Sequence, residues 1–423
     1  MRTKKNYSAY RKLFHTILVL LILRLFYSIP TPGVNTGYFK TFLELNASFS
    51  FINAITGSGL SDLSIMALSV GPYITASILI QLFGILIPKL AEMQNGMQDE
   101  RDRIEKLTFI VGIIMAVLQS VLMAIGFGKK GLLIDYKWYW ICCITAIWTF
   151  TSAMVAFIGK KMSDMKNYFI GNGVSLILTA NIIASYPSDI KSIIRLIASV
   201  KDDQKKIIIS IVVITAIVIL FMFTYFINGC EKQIKIVYSN KTGGGEGTIP
   251  IKLCTGGVVP VIFASSIMAF PVTIASLIGK ENIPFIKLIN TACWFDPKGP
   301  IYSFGAFIYL LLIILYSYFY TNITFNASEV AHSIQKSDGI IPGIRAGQNT
   351  VAYLKRQMKS LIFIGAICMS IIAMVPIFIS AHYGLSRLSF LGTSVIITVS
   401  VITDTKNQVL SQRRSKKYIA KAV

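Results

Sequence analysis

The sequence predicts an all-α integral membrane protein with ten transmembrane helices in two inverted five-helix halves. Three observations carry this prediction. Of the 423 residues, 54% are hydrophobic and only 14% are charged, whereas an average soluble domain carries about 25% charged residues. Ten apolar segments follow one another along the chain. Short sequence motifs (called repeated words below) in the first five segments recur in the same order in the second five.

The ten apolar segments are each close to the roughly 20 residues that a helix needs to cross about 30 Å of hydrocarbon. Backbone groups in hydrocarbon must hydrogen-bond within their own segment, so each segment is predicted to be a helix. The predicted spans are residues 14–30, 69–88, 107–127, 138–158, 168–186, 207–227, 257–278, 302–321, 360–381 and 388–404.

The repeated words lie in the second and fifth spans of each half. Residues 72–77 read Pro-Tyr-Ile-Thr-Ala-Ser, and residues 260–265 read Pro-Val-Ile-Phe-Ala-Ser. Residues 173–179 read Gly-Val-Ser-Leu-Ile-Leu-Thr, and residues 392–398 read Gly-Thr-Ser-Val-Ile-Ile-Thr. An odd number of crossings in each half forces the second half to insert upside down. Inverted repeats of this kind place the working site between the halves, near the middle of the bilayer.

The chain is predicted to divide into an N-terminal half (1–186), an external connecting segment (187–206), a C-terminal half (207–405) and a basic cytoplasmic tail (406–423). The net charge of +22 comes from Lys and Arg at the ends of apolar segments, which favours contact with anionic lipid over nucleic acid. These residues concentrate on the side of both termini, which the positive-inside rule therefore places in the cytoplasm. The basic segment 187–206 runs against this bias.

Three regions do not fit simple loops. Residues 49–68 are apolar but broken by glycine, which indicates a half-inserted segment before the second span; such backbone is tolerated only where protein or a cavity surrounds it. Residues 228–256 are predicted to form a cytoplasmic β-hairpin with a glycine tip at Gly243–Gly247. Residues 322–359 are predicted to form a longer, basic cytoplasmic loop that is helical at both ends, with Gly339–Gly347 at its centre.

The missing residue types exclude several kinds of chemistry. No Asp or Glu lies at depth in the predicted spans, which argues against ion-coupled transport and intramembrane proteolysis. The six cysteines form no Cys-x-x-Cys pair and none has a histidine at metal spacing. We therefore predict no catalytic residues, no metal and no cofactor. An inverted-repeat solute transporter and a membrane-embedded enzyme remain as alternatives.

Arg24 is the charged residue at depth, within the first predicted span. A buried Arg is costly and must find carbonyls, an amide or water. We interpret it as a snorkelling residue that serves helix packing.

Four aliphatic residues occupy matching places in the repeated words: Ile74 with Ile262, and Leu178 with Ile397. The symmetry of the repeats brings these side chains toward one central axis. Aliphatic side chains that meet on an axis form a hydrophobic constriction, which stays closed to ions because water is unstable there.

At these residues the chain resembles the SecY family, the central subunits of the bacterial protein-conducting channel. Six ordered motifs carry the resemblance, which runs nearly from end to end. They are Ile29–Gly33, Ser64–Leu68 with Pro72–Ile74, Ile170–Gly173, Pro250–Lys252 with Gly257–Ala264, Ile341–Arg345 and Leu391–Ser394.

The resemblance implies a role for each of several sets of residues. The implied pore ring is Val70, Ile74, Leu178, Ile182, Ile262 and Ile397. The implied plug is residues 53–68, with Asn53, Gly57, Gly59, Leu60 and Ser64. The implied docking residues are Lys232, Lys235, Arg345, Lys355 and Arg356, in or beside the two cytoplasmic loops. A lateral gate is implied between spans 2 and 3 on one side and spans 7 and 8 on the other.

The resemblance further implies a channel in the bacterial cytoplasmic membrane that translocates unfolded preproteins and releases apolar segments into lipid. Its implied partners are SecE, SecG, a SecA-type ATPase or the ribosome, preprotein signal sequences and membrane lipid, with no direct contact to nucleic acid. The chain departs from the family at Ala346, where a proline is usual, at Lys232–Lys235, where an Arg pair is usual, and at Met154–Met162. These departures indicate, as an alternative, an accessory channel for a restricted cargo with a dedicated SecA.

Overall fold

The computed structural model describes residues 9–35, 37, 56–57, 59–60, 62–96, 98–128, 133, 135–198, 202–238, 245–278, 283–295, 300–383 and 391–422. Thirteen α-helices lie in these ranges. They are α1 Ala9–Tyr27, α2 Gly71–Leu86, α3 Pro88–Asn95, α4 Gln98–Gly128, α5 Trp138–Asp164, α6 Gly173–Ala198, α7 Asp203–Gly229, α8 Val259–Ile278, α9 Pro284–Ile289, α10 Phe304–Thr324, α11 Ala327–Lys336, α12 Gln348–Tyr383 and α13 Leu391–Ala422. The strands are β1 Glu231–Tyr238, β2 Gly245–Lys252 and β3 Gly339–Ile340.

Each of the ten predicted spans falls on one of the longer helices. Five described stretches are long and apolar enough to cross a membrane by themselves: Asp102–Gly128, Trp138–Asp164, Lys206–Gly229, Ile301–Lys336 and Gln348–His382. Helices α2 and α3 make a sixth if this pair, bent by 114°, counts as one span, and Val259–Ala275 is a shorter apolar helix. The remaining predicted spans lie on α1, α6 and α13, which contain more polar and charged residues.

Several helices run beyond the spans that hydropathy predicts. Helix α6 continues through Pro187 to Ala198, so part of the predicted connecting segment 187–206 is helical. Helix α12 begins at Gln348, inside the loop predicted for residues 322–359. Helix α13 continues through the predicted tail to Ala422. A hydropathy profile ends where polar residues begin, whereas helical hydrogen bonds continue through polar residues beyond the hydrocarbon.

The two cytoplasmic loops predicted from the sequence form a single unit. Strands β1 and β2 pair as the predicted antiparallel hairpin, from Glu231 opposite Lys252 to Tyr238 opposite Gly245; residues 239–244 of its tip lie outside the described part of the chain. Strand β3, from the second loop, adds to the other edge of β1. We call β1–β3, α11 and the first turns of α12 the sheet unit. Its core contains Ile234, Ile236, Ile251, Ala331, Ile334 and Leu354, all buried.

The region predicted to be half-inserted is buried in the first half. Its described residues, from Thr56 to Val70, form turns. The Thr31 amide donates to the Leu63 carbonyl at 2.8 Å, and the Ile65 amide donates to the Ile29 carbonyl at 3.0 Å. Leu60 and Leu63 are fully buried, in a cluster with residues of α4 and α5. Protein contacts thus satisfy an irregular backbone that lipid cannot.

Two seams join the predicted halves. Helices α1 and α6 contact α13 along one seam, and α4 contacts α8 along the other. The space between the seams holds the candidate site.

Candidate pore and lateral cleft

The six predicted ring residues lie in one hydrophobic cluster, which both halves build. Val70 and Ile74 come from the start of α2, Leu178 and Ile182 from α6, Ile262 from α8 and Ile397 from α13. Five of them are 0–7% exposed, and Ile74 is partly buried against the same cluster. The helices that carry the repeated words therefore bring their aliphatic residues together, as the internal symmetry predicts.

On one side of this cluster lies a cleft with a volume of about 270 Å³ and both polar and apolar lining residues. Ile74, Leu178 and Ile262 lie at its inner end along α2, α6 and α8. The first predicted half lines it with polar residues: Tyr73, Ser77, Gln81, Glu105, Lys160, Ser163, Asp164, Asn172 and Ser175. The second half contributes the apolar and aromatic residues Val259, Phe263 and Tyr320. Lys160 and Glu105 form an ion pair at 3.2 Å on the polar wall.

A second, mostly apolar cleft opens between α2 and α4 on one side and α8 on the other. It has a volume of about 110 Å³. Its lining residues are Thr56, Ala67, Leu68, Gly71, Ile74, Thr75, Gln119, Leu122, Met123, Ser266, Ala269, Phe270, Thr273 and Ile274. The predicted lateral gate lies between spans 2 and 3 on one side and spans 7 and 8 on the other; residues of spans 2, 3 and 7 line this lateral cleft, and none of span 8 is among its described lining residues. Ile74, which packs against the aliphatic cluster, lines both clefts.

Arg24 turns into the protein, whereas the snorkelling interpretation placed it at the membrane surface. Its Nη1 atom donates to the carbonyl oxygen of Gly57 at 2.7 Å. Its guanidinium carbon lies 5.5 Å from the centre of the Tyr27 ring. Of the partners expected for an Arg at this depth, Arg24 has a carbonyl, which belongs to a residue of the predicted plug.

The described plug residues are buried beside this contact. Gly57, Gly59, Leu60 and Ser64 are all buried, and Ser64 pairs in an antiparallel bridge with Pro30. Gly57 has a φ of +64°, and a Cβ at this position would lie 2.8 Å from the Asn181 backbone. Only glycine fits this conformation at so close an approach. Asn53 lies outside the described residues.

The five predicted docking residues lie exposed on or beside the sheet unit. Lys232 and Lys235 lie on β1, Arg345 lies in the turn before α12, and Lys355 and Arg356 lie on α12. Lys232 donates to Gln357 Oε1, which joins the hairpin to α12.

Sequence reasoning missed two sets of polar contacts. Tyr27, Ser69 and Asn181 form a buried hydrogen-bonded triad, in which Asn181 lies 154 positions from Tyr27. Lys252, at the base of the hairpin, pairs with Asp404 of α13 at 2.8 Å. Asn181 is visible in the sequence as a polar residue at depth, but nothing in the sequence indicates its partners.

Comparison with known proteins places these features in a wider context. The family model for SecY matches residues 64–406. The protein translocase subunit SecY of Halalkalibacterium halodurans is 32% identical over 422 residues, which cover 96% of this chain and 95% of the relative. The protein of the same name from Escherichia coli K12 is 30% identical over 423 residues, which cover 96% and 92%.

Solved structures resemble the whole fold. A structure described as that of a protein conducting channel gives a TM-score of 0.73 at 19% identity and covers 97% of this chain and 94% of that one. Sec61 in the canine ribosome-channel complex gives a TM-score of 0.70 at 20% identity and covers 97% and 94%. The predicted ten-helix membrane fold is therefore confirmed.

Proposed function

This chain belongs to the SecY family, and on that premise we propose that it forms a channel that passes unfolded preproteins across a membrane and releases apolar segments into the lipid. The observation that carries the proposal is the aliphatic cluster beside the two clefts. Residues from both halves meet there, and Ile74 lines both clefts.

The chemistry of the cluster suits a passage for unfolded chains. A polypeptide presents every kind of side chain, so polar binding groups in the constriction would hold some cargo and block it. Aliphatic side chains offer no directional bonds, and they can move apart around a chain and close behind it. When closed, they leave no room for stable water and so exclude ions. We assign Val70, Ile74, Leu178, Ile182, Ile262 and Ile397 to this pore ring.

We assign the lateral cleft to the release of apolar segments. Its lining is largely apolar, and it lies between helices of different halves. A segment in this cleft partitions into lipid with a gain of about 0.8 kcal/mol for each buried methylene. Partition by hydrophobicity therefore selects signal sequences without a specific binding pocket.

We propose that both termini and the sheet unit face the cytoplasm of a bacterial cell, and that SecA or the ribosome docks on the sheet unit. Five exposed cations on or beside that unit support the assignment: Lys232, Lys235, Arg345, Lys355 and Arg356. We further propose that SecE clamps the two halves and that SecG joins the complex. Energy comes from the docked partner, and the chain itself performs no catalysis. Neither the described residues nor the relatives favour the accessory-channel or solute-transporter alternatives.

Reconstitution tests the proposed function. The chain is placed in vesicles with SecE, SecG and SecA homologues, and a preprotein with a signal sequence is compared with one lacking it. We expect ATP-dependent protection of the first from external protease. A photocrosslinking residue at Thr273, in the lateral cleft, is expected to capture the signal sequence, and the same residue at lipid-exposed Ile219 is not. Ion-driven uptake of one small solute, without preprotein crosslinks, contradicts the proposal.

A further inference from the structure

We propose that Arg24, Tyr27, Ser69 and Asn181 form a hydrogen-bonded latch that holds the plug and sets the threshold for its release. This inference rests on the proposed function, because it assumes that the plug moves when the channel opens. Arg24 and Tyr27 lie on α1 and Asn181 lies on α6, and together they contact Gly57 of the predicted plug and Ser69, which directly follows the plug.

The first part of the latch is the contact between Arg24 and Gly57. A hydrogen bond from a charged donor is stronger than a neutral one, and low polarity around it increases that strength. The contact depends on Gly57, because a Cβ there would lie 3.0 Å from Arg24 Nη1 and 2.8 Å from Asn181. The glycine thus lets its own carbonyl reach the guanidinium while its Cα packs on α6.

The second part is the triad at the other end of the plug region. The Tyr27 and Ser69 hydroxyl oxygens lie 2.5 Å apart. Asn181 Nδ2 donates to Tyr27 at 3.0 Å and to Ser69 at 2.9 Å. All three residues are at most 3% exposed. Ser69 directly precedes the ring residue Val70, so the triad fixes the plug region at the point where it meets the pore ring.

Two residues of this region have an uncommon backbone conformation. Ser69 has a φ of +51°, and Leu63 has a φ of +44°. Residues other than glycine rarely adopt this left-handed conformation, and they do so at a cost in energy. Release of the plug relieves that cost, whereas the latch and the apolar contacts of Leu60 and Leu63 oppose it. The balance between them sets the threshold.

The hydrogen bonds of the latch can be made with other partners, which distinguishes them from the apolar contacts of Leu60 and Leu63. When the plug leaves, Arg24, Tyr27 and Asn181 lose Gly57 and Ser69 and come to face the passage. The backbone carbonyls of a translocating chain can then accept their hydrogen bonds. Since a buried donor without an acceptor is costly, a polypeptide that supplies acceptors as the plug leaves lowers the barrier to opening.

Two substitutions test the latch: Arg24→Gln, which removes the charge, and Tyr27→Phe, which removes one oxygen. The first readout is resting ion leak through the channel in a planar bilayer, and the second is export of a preprotein with a defective signal sequence. We expect both to rise by about tenfold or more in Arg24→Gln and by about threefold to tenfold in Tyr27→Phe. Arg11→Gln makes the same exchange at an exposed position near the start of the same helix; it is the matched control and is expected to behave as wild type.

A double-mutant cycle separates a latch from general loosening. If Tyr27 and Ser69 act together, Tyr27→Phe combined with Ser69→Ala raises the leak less than the product of the single effects. Wild-type leak and wild-type signal stringency in both Arg24→Gln and Tyr27→Phe overturn the proposal. If Arg24→Gln does not accumulate in the membrane, Tyr27→Phe decides alone. Resting leak needs no preprotein, so it reports on the latch separately from the transport assay that tests the proposed function.

Discussion

Ile397→Asn is expected to loosen the closed pore. Ile397 is 1% exposed in the cluster that joins both halves. Loss of its buried side chain costs about 1.5–3 kcal/mol, and an amide buried there without a partner costs about 1–3 kcal/mol more. Even the lower total, about 2.5 kcal/mol, shifts the ratio of closed to open channel roughly sixtyfold. The amide also stabilises water in the constriction, so ions pass where the aliphatic ring excluded them.

The assay for this variant measures resting conductance in planar bilayers and export of a preprotein with a weakened signal sequence. Both are expected to increase. Ile397→Leu keeps the volume and apolar character of the site and is expected to retain the seal. Ile402→Asn, on the same helix but 52% exposed, controls for the amide itself. Unchanged leak together with unchanged stringency in Ile397→Asn would refute the ring assignment, as would equal effects in Ile402→Asn.

Three further predictions concern the sheet unit and the first half. Arg345→Glu reverses an exposed charge before α12; we expect slower ATP-driven export in vesicles with membrane insertion unchanged. Lys252→Glu and Asp404→Lys each break a half-exposed ion pair, worth at most about 1 kcal/mol; we expect a small loss of export rate that the double exchange restores. Trp148→Phe removes a fully buried hydrogen bond to Thr31 at 3.0 Å; we expect a loss of about 1–3 kcal/mol, measured as a lower Tm in detergent.

Each of these predictions has its own control. For Arg345→Glu, the matched variant is Lys336→Glu, on α11 of the same unit, and equal export by both variants removes Arg345 from the docking surface. For the ion pair, failure of the double exchange to recover shows that the two charges act separately. For Trp148→Phe, Trp138→Phe is the comparison, because Trp138 is 77% exposed; an equal Tm in both variants contradicts the role of the buried bond.

The pore ring shows how many of its residues the internal repeat of the sequence can predict. Ile74, Ile262, Leu178 and Ile397 follow from the repeated words alone, because equivalent places in inverted repeats converge on one axis. Val70 and Ile182 enter only through the family resemblance, since neither lies in a matched aliphatic pair. The structure places all six in one cluster. Their role as a seal stays a prediction that the Ile397 experiment decides.

Hydropathy and repeated words determined the membrane class, the number of spans and the hairpin of this protein. These features depend on properties that each segment carries by itself: apolar length, strand alternation and turn residues. Three features were decided by tertiary structure alone. They are the packing of the described residues between 56 and 70, the addition of β3 to the hairpin, and the contact of Arg24 with Gly57. Each of those depends on a partner far along the chain, as Asn181 is from Tyr27. A polar group at depth shows in sequence that it needs a partner, but only the packed helices determine which one it meets.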